Sequence, residues 1–353
     1  MNTTKKLNLT KIKKTSPLLP FEIEWIDLNI AKSDKLNEVF SILDLNYIED
    51  NECTFRFHYV HEFLALALKA PGWSSFLNLG LRYRRCRKLV GIISSVPKQI
   101  IFDKNIFCAP DINFLCFNKQ IRNRRFVYVI IEEITRRLNL TGILQAVYTS
   151  GVSFPNSMFS YYYYHYPINN HKLIAFKFIK KLPCHKKIDS EKKENFKISE
   201  KPTKYAYIGI RKNFINLKTY RCYKLKDFFY WFRSIPGVLY MIFFEAIESS
   251  MKNQIFTFYS LPSKYIKNEK KNFLYGIYLY YKSSSILNNR LFTYGIDIIR
   301  KNGFDVINVL DSEKNKAKLS TMTFIKGTGK LNFYIFNWTY RNICLEENGL
   351  AFF

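Results

Sequence analysis

The stretch Asp111–Phe117, the basic run Lys119–Arg125 and the helical pattern Phe126–Asn139 together constrain this chain more than any other feature. The series reads as a strand that delivers its end to a helix N-terminus. Such a junction concentrates unpaired backbone N–H groups and the positive end of a helix dipole, so a phosphate or a developing oxyanion is well placed there. Arg122, Arg124 and Arg125 add planar donor forks that match phosphate oxygens. Taken alone, those arginines read more readily as a solvated charge run.

At 353 residues and 48% hydrophobic content the chain can bury a sizeable core, and two halves are expected. Its formal net charge of +27 raises nucleic acid or an anionic membrane as a partner. The basic clusters Lys5–Lys14, Arg82–Lys88, Lys119–Arg125 and Lys186–Lys204 are scattered, however, and no helix-turn-helix, zinc-finger or RNA-binding signature accompanies them. A weak ribosome or RNA contact through basic surface is the expectation that remains. Seven cysteines without CxxC spacing argue against a disulfide framework or zinc site, and His58-x-x-His61 lacks a third ligand, so no metal is expected. The longest apolar run, Val238–Phe244, is too short to span a bilayer. A monomeric cytoplasmic protein without integral membrane association is expected.

Residues 1–19 read as a basic disordered tail and 180–204 as a charged linker, leaving halves at 20–179 and 205–353. Leu89–Val96, Asn113–Phe117 and Leu331–Trp338 are strand-like, whereas Val60–Leu68 and Phe126–Asn139 are helical.

Further segments carry a resemblance. They include Phe21-Glu22-Ile23-Glu24-Trp25, Phe55-Arg56-Phe57-His58-Tyr59, Pro71-Gly72-Trp73, Ile112-Asn113-Phe114-Leu115-Cys116 and Glu133-Ile134-Thr135-Arg136-Arg137. They continue through Gln145–Val152, Tyr163-Tyr164-His165, Phe258–Ser263, Gly303-Phe304-Asp305-Val306 and Asn332–Trp338. In this order they resemble the N-myristoyltransferase family, whose members move a myristoyl group from CoA to an N-terminal glycine, and the match covers most of residues 20–353. The resemblance implies an α+β fold of two tandem GNAT-like (acyl-CoA N-acyltransferase) halves that share a curved mixed sheet with pseudo-twofold symmetry. It also implies myristoyl-CoA as co-substrate in the first half, no permanently bound cofactor, and a peptide groove in the second half for proteins beginning Gly-x-x-x-Ser/Thr.

By the same resemblance the base is the C-terminal carboxylate of Phe353, the backbone N–H groups of Phe114 and Leu115 form an oxyanion hole, and Asn113 and Thr149 hold the substrate amine. Cys116, Phe117, Arg122, Asn123, Arg124, Arg125, Phe126 and Val127 join Phe114 and Leu115 along the CoA. Asp50 and Glu52 would accept a substrate lysine, and Phe55, Phe57, Thr149, Tyr163, His165, Ser263 and Tyr278 would line the groove. The chain departs from the family pattern in three places. Bulky Phe126, Val127 and Tyr128 follow the arginines, Gly327-Thr328-Gly329 replaces a Gly-Asp-Gly turn, and the aromatic segment that folds over the thioester is not found. Two other readings stand beside the enzyme: a turnover-deficient relative that binds acyl-CoA, peptide or RNA, and an acyltransferase with a shorter donor.

Overall fold

A sheet of 12 strands organises the computed structural model, which describes residues 12–350 apart from 51–52, 123–124, 181–195, 215–216, 248–252, 268–272, 283–288, 312–318, 320–321 and 341–346. The first half contributes β1 (Ile23–Asp27), β2 (Asn78–Tyr83), β3 (Leu89–Val96), β4 (Asp111–Phe117), β5 (Ala146–Ser150) and β6 (Phe159–Pro167). The second contributes β7 (Phe196–Ser199), β8 (Leu239–Ala246), β9 (Gln254–Ser260), β10 (Gly276–Lys282), β11 (Val306–Leu310) and β12 (Ile325–Phe336).

In space the order is β1-β2-β3-β4-β5-β12-β6-β11-β10-β9-β8-β7. Exchanging each strand of one half for its counterpart in the other returns the same order read backwards, so the halves are related by a pseudo-twofold axis between β12 and β6. Each half sends its last strand into the other: β12 pairs with β5, and β6 pairs with β11. The ladder is antiparallel except for β4 with β5 and β10 with β11. The expected α+β architecture of two tandem GNAT-like halves on one mixed sheet is therefore present.

The helices obey the same symmetry. After β1 come α1 (Ser33–Asn46) and α2 (His61–Leu68), and between β4 and β5 lies α3 (Phe126–Leu140). After the short α4 (Asn170–Ala175), β7 is followed by α5 (Lys204–Phe214) and α6 (Leu225–Trp231), and α7 (Asn289–Lys301) lies between β10 and β11. Strand alternation explains the layers. Ile92, Phe114 and Cys116 pack against α1 and α2, while Val90, Ile93 and Phe117 pack against α3. Likewise Met241, Phe243 and Ile255 face α5 and α6, and Ile242, Phe244, Phe256 and Phe258 face α7. The helix pairs meet where the Tyr230 hydroxyl of α6 donates to the Leu66 carbonyl of α2 at 2.7 Å.

Two small sheets stitch the halves together. Phe55–Phe57 pairs with Ser263–Tyr265, and Gln99–Phe102 pairs with Thr219–Arg221, which in turn runs parallel to Asn348–Gly349. Two boundaries differ from the sequence reading. Phe196–Ser199, inside the segment read as linker, is an edge strand on β8, because Phe196 and Ile198 alternate inward while Lys197 stays exposed. Ser16, inside the segment read as tail, donates to the buried Glu133 carboxylate of α3 at 2.9 Å.

Candidate active site

β4 breaks its own ladder in the middle. Asn113 lies opposite Ser94 and Cys116 opposite Ile92, so Phe114 and Leu115 together face Ile93 alone. This bulge places Phe114 at φ +54°, a left-handed conformation that a non-glycine residue holds only under constraint. A left-handed residue turns the neighbouring peptide plane out of the sheet. The constraint here is packing: the buried Phe114 ring lies 5.3 Å from Tyr59 and 6.0 Å from Tyr47. The Ser94 hydroxyl also donates to the Asn113 carbonyl at 3.1 Å.

On its other side β4 touches β5 at a single register pair, Asp111 with Val147. The two parallel strands then part, leaving a wedge with the bulge on one wall and the half-buried Thr149 of β5 on the other. On the helix side of β4, a small void is lined by Ala67 of α2, Trp231 of α6, Ser94, Val96, Lys98, Asp111, Asn113 and Phe114. The last described residue, Leu350, is buried with Ile100, Ala109 and Val147, beside the point where the wedge begins.

Lys98 and Asp111 form a buried ion pair that sequence reasoning missed. Burial, and then the Arg221 guanidinium, push the Lys98 ammonium well below its ordinary range. Both basic side chains lie over the Trp231 indole, Arg221 at 4.5 Å and Lys98 at 5.4 Å. Nothing in the run Val96-Pro97-Lys98 distinguishes this lysine from a surface one.

The residues expected along CoA are brought together at the end of β4, but they do not all face outward. Cys116 points its thiol toward the Ile42 carbonyl at 3.8 Å, and burial pushes that thiol up to about 12. Phe117 is core. Arg122 is held back by the chain itself: Nε donates to the Phe117 carbonyl at 3.1 Å and Nη2 to the Asn46 carbonyl, so it staples the loop to α1. Arg125 is exposed and takes a left-handed turn at φ +59° to start α3, whose first residues are buried Phe126 and half-buried Val127. Asn123 and Arg124 lie outside the described residues, as do Glu52 and Phe353.

The expected peptide-side residues converge on an aromatic wall. Phe57 lies 6.3 Å from both Tyr59 and Tyr278, Tyr163 lies 5.9 Å from Tyr278, and Tyr259 stacks on Tyr278 at 5.2 Å. Burial raises the phenols of Tyr59, Tyr163, Tyr259 and Tyr278, so all stay neutral. Tyr47, Tyr59 and Tyr259 were not foreseen; their position in the chain gives no signal, because each reads as core.

Ser263 is half-buried opposite Phe57, and Phe55 packs on Tyr265 at 5.5 Å. His165 Nδ1 donates to Asn308 Oδ1 at 2.6 Å, and burial lowers its pKa, which keeps the imidazole neutral. Its Nε2 edge is crowded by Gly327, where a Cβ would come within 2.2 Å. The glycine therefore belongs to the position of the histidine.

Asp50 is turned back onto its own loop, where Oδ1 accepts from the backbone N–H groups of Thr54 at 2.6 Å and Phe55 at 2.7 Å. The adjacent Glu49 is held down at about 2, first by Lys119 and then by Arg56. His58 and His61 are directed apart, to Asp44 at 2.6 Å and onto Phe40 at 4.1 Å. Among the described residues no cluster of three or more His, Cys, Asp or Glu could hold a metal.

Comparison with known proteins places this geometry. Residues 3–160 match the N-terminal domain and 191–349 the C-terminal domain of myristoyl-CoA:protein N-myristoyltransferase. The chain is 32% identical to the glycylpeptide N-tetradecanoyltransferase of Plasmodium falciparum, over 93% of this chain and 82% of that protein. It is 30% identical to the Drosophila melanogaster enzyme of the same name, over 97% of this chain and 75% of that one. Its structure is similar to the crystal structure of Saccharomyces cerevisiae N-myristoyltransferase with bound myristoyl-CoA, with TM-score 0.83 and 28% identity over 96% of this chain and 88% of that chain.

Proposed function

We infer the mechanism from the premise that this chain belongs to the myristoyl-CoA:protein N-myristoyltransferase family and is a glycylpeptide N-tetradecanoyltransferase. Myristoyl-CoA, the co-substrate, lies in the wedge between β4 and β5, with its thioester carbonyl oxygen at the backbone N–H groups of Phe114 and Leu115. The bulge carries this reading, since a preset left-handed residue aims donors at the position where negative charge develops and needs no reorganisation during reaction.

The acceptor is the N-terminal glycine of a protein beginning Gly-x-x-x-Ser/Thr, and its chain runs past the aromatic wall of Phe57, Tyr163 and Tyr278. Ser263 and His165 supply the polar orientation in that groove, with Phe55 below Ser263. Asn113 and Thr149, on facing walls of the wedge, hold the glycine amine. Glu52, and Asp50 through its second carboxylate oxygen, accept from a lysine further along the substrate.

An ammonium cannot attack, so a base must first take one proton. That base is the C-terminal carboxylate of Phe353. Support comes from the path of the chain, which reaches Leu350 beside Val147, where the wedge begins. The neutral amine attacks the thioester carbon, and the electron pair of the C=O bond moves to oxygen, where the bulge N–H groups receive it. Collapse of the oxyanion breaks the C–S bond, and the second amine proton passes to the departing CoA sulfur, giving the amide and the CoA thiol with no covalent enzyme adduct. Arg124 and Arg125 meet the CoA phosphates, while Arg122 shapes the loop that presents them.

The test is transfer from labelled myristoyl-CoA to an octapeptide beginning with glycine, beside an alanine-first control. Transfer to glycine alone is expected. Deleting Phe352 and Phe353 is expected to lower kcat by a factor on the order of 100 or more with acyl-CoA binding kept, and unchanged turnover removes the carboxylate from the mechanism.

A further inference from the structure

The pseudo-twofold axis supplies an internal control. The helix pairs α1/α2 and α5/α6 occupy equivalent places on one face of the sheet, so a bias toward lysine in the sequence as a whole acts on both. Their outer surfaces nevertheless differ in kind. On α1 and α2 the charges are mixed and partly self-neutralised: Lys35 bridges Asp34 and Glu38, and Glu62 is exposed. On α5, α6 and the residues flanking α6 the exposed charges are Lys204, Arg211, Lys212, Lys224, Lys226 and Arg233. None of these six forms an ion pair among the described residues. The acid on the same face, Asp227, accepts the Lys224 backbone N–H at the start of α6.

Apolar side chains stand among those cations. Tyr205 is 67% and Ile208 49% exposed on α5, with Leu225 at 39% and Phe229 at 36% on α6. The helices lie side by side, the Tyr207 and Phe228 rings 5.4 Å apart, and both turn their buried residues, Ala206, Ile210, Phe228 and Trp231, to the same core. The four exposed apolar residues therefore share one outward surface ringed by basic ends.

We propose that the outer face of α5 and α6 docks the protein on an anionic lipid bilayer. Lysine and arginine meet the headgroup charge, and the apolar row enters the boundary between headgroups and acyl chains. Among the described residues no helix is long and apolar enough to cross a membrane, so the docking is peripheral. A nucleic acid would engage the same cations, but it has no acyl layer to receive Ile208, Leu225 and Phe229, which is why the bilayer is favoured. None of these residues lies in the wedge or the aromatic wall, so docking and transfer to a short free peptide are separable.

The experiment is co-sedimentation of the full chain with phosphatidylcholine vesicles, with and without phosphatidylserine. Binding is expected only when phosphatidylserine is present, and it weakens as salt rises. Lys212→Ala with Lys226→Ala is expected to weaken it roughly thirtyfold, and Ile208→Ser with Phe229→Ser to weaken it at least tenfold with the charge unchanged. Both variants are expected to keep transfer to a free glycine peptide in solution, which establishes that they are folded whether or not the vesicles bind. No binding to the phosphatidylserine vesicles overturns the proposal. Full binding by the Ile208→Ser and Phe229→Ser variant also overturns it, as does displacement by single-stranded RNA that is sensitive to the lysines alone, which assigns the face to nucleic acid.

Discussion

The two halves share a plan and differ in what holds it. In the first half charge does much of the fastening. Glu133 is fully buried between Arg136 and Arg137, Arg137 reaches on to Asp27, and Glu49 joins Lys119 to Arg56. In the second half the corresponding space is filled by rings: Phe228, Trp231, Phe232, Phe243, Phe244, Phe256, Phe258 and Phe292 are among the largest fully buried side chains. One topology thus tolerates two chemistries of cohesion, because it fixes strand order and helix placement but not what fills the layers. The chain has few acidic residues, 28 against 55 basic, and pairing many of them in the first half leaves cations of the second facing outward.

Several measurements break or sharpen this contrast. The largest effects are expected from removing a buried ring in either half. Phe292→Ala should cost about 3–5 kcal/mol in denaturant unfolding, and Phe63→Ala in the first half a similar amount. Because β6 and β12 are exchanged, both variants should unfold in one transition, and two separated transitions would end the picture of a shared sheet.

Next, Arg137→Met strands part of the buried Glu133 charge and is expected to cost about 3 kcal/mol, whereas Glu133→Leu combined with Arg137→Met should recover most of that. Equal losses in the single and double variants would show that the network contributes packing and not charge pairing.

A third prediction concerns acid. Glu49 has a folded-state pKa of about 2, depressed from 4.5, so its stabilisation is complete above pH 4.5 and is lost as pH falls toward 2. Screened by solvent at this surface site, the loss should be on the order of 1 kcal/mol and absent in Glu49→Gln. Hydrogen exchange under mild acid should therefore loosen the Glu49 region before the aromatic core around Phe256.

The smallest effect is expected at Gly327→Ala, where the new methyl must displace His165. Roughly 1 kcal/mol, a several-fold rise in peptide KM with kcat held, is the expected outcome in steady-state assays. A fall in kcat alone would place His165 nearer the reacting atoms than the groove.

Much of the architecture is legible in the sequence. Leu89–Val96 is β3 as expected, and the helix expected at Phe126–Asn139 ends one residue later. Their patterns are local, with a continuous apolar run for a strand buried on both faces and a helical period for α3. What is not legible depends on distant partners. Lys98 looks like a surface lysine until β4 brings Asp111 and the second half brings Arg221 and Trp231. Arg122 reads as a phosphate ligand, and only the structure shows two of its donors on backbone carbonyls; Asp50 reads as a peptide acceptor, and only the structure shows that two local N–H groups already take one of its oxygens. The Phe114 bulge lies between the two: the resemblance marks the residues, but only the register on β3 reveals the left-handed turn.

Strand exchange also sets an order of events at the ribosome. The neighbour of β5 is β12, near the far end of the chain, so when the first half emerges its sheet lacks one flank and the wall of the wedge that carries Thr149 has no outer support. Until residues 325–336 are made, β5 keeps an open edge that can pair with other nascent chains. Completion of the wedge between β4 and β5 therefore waits on synthesis of the second half.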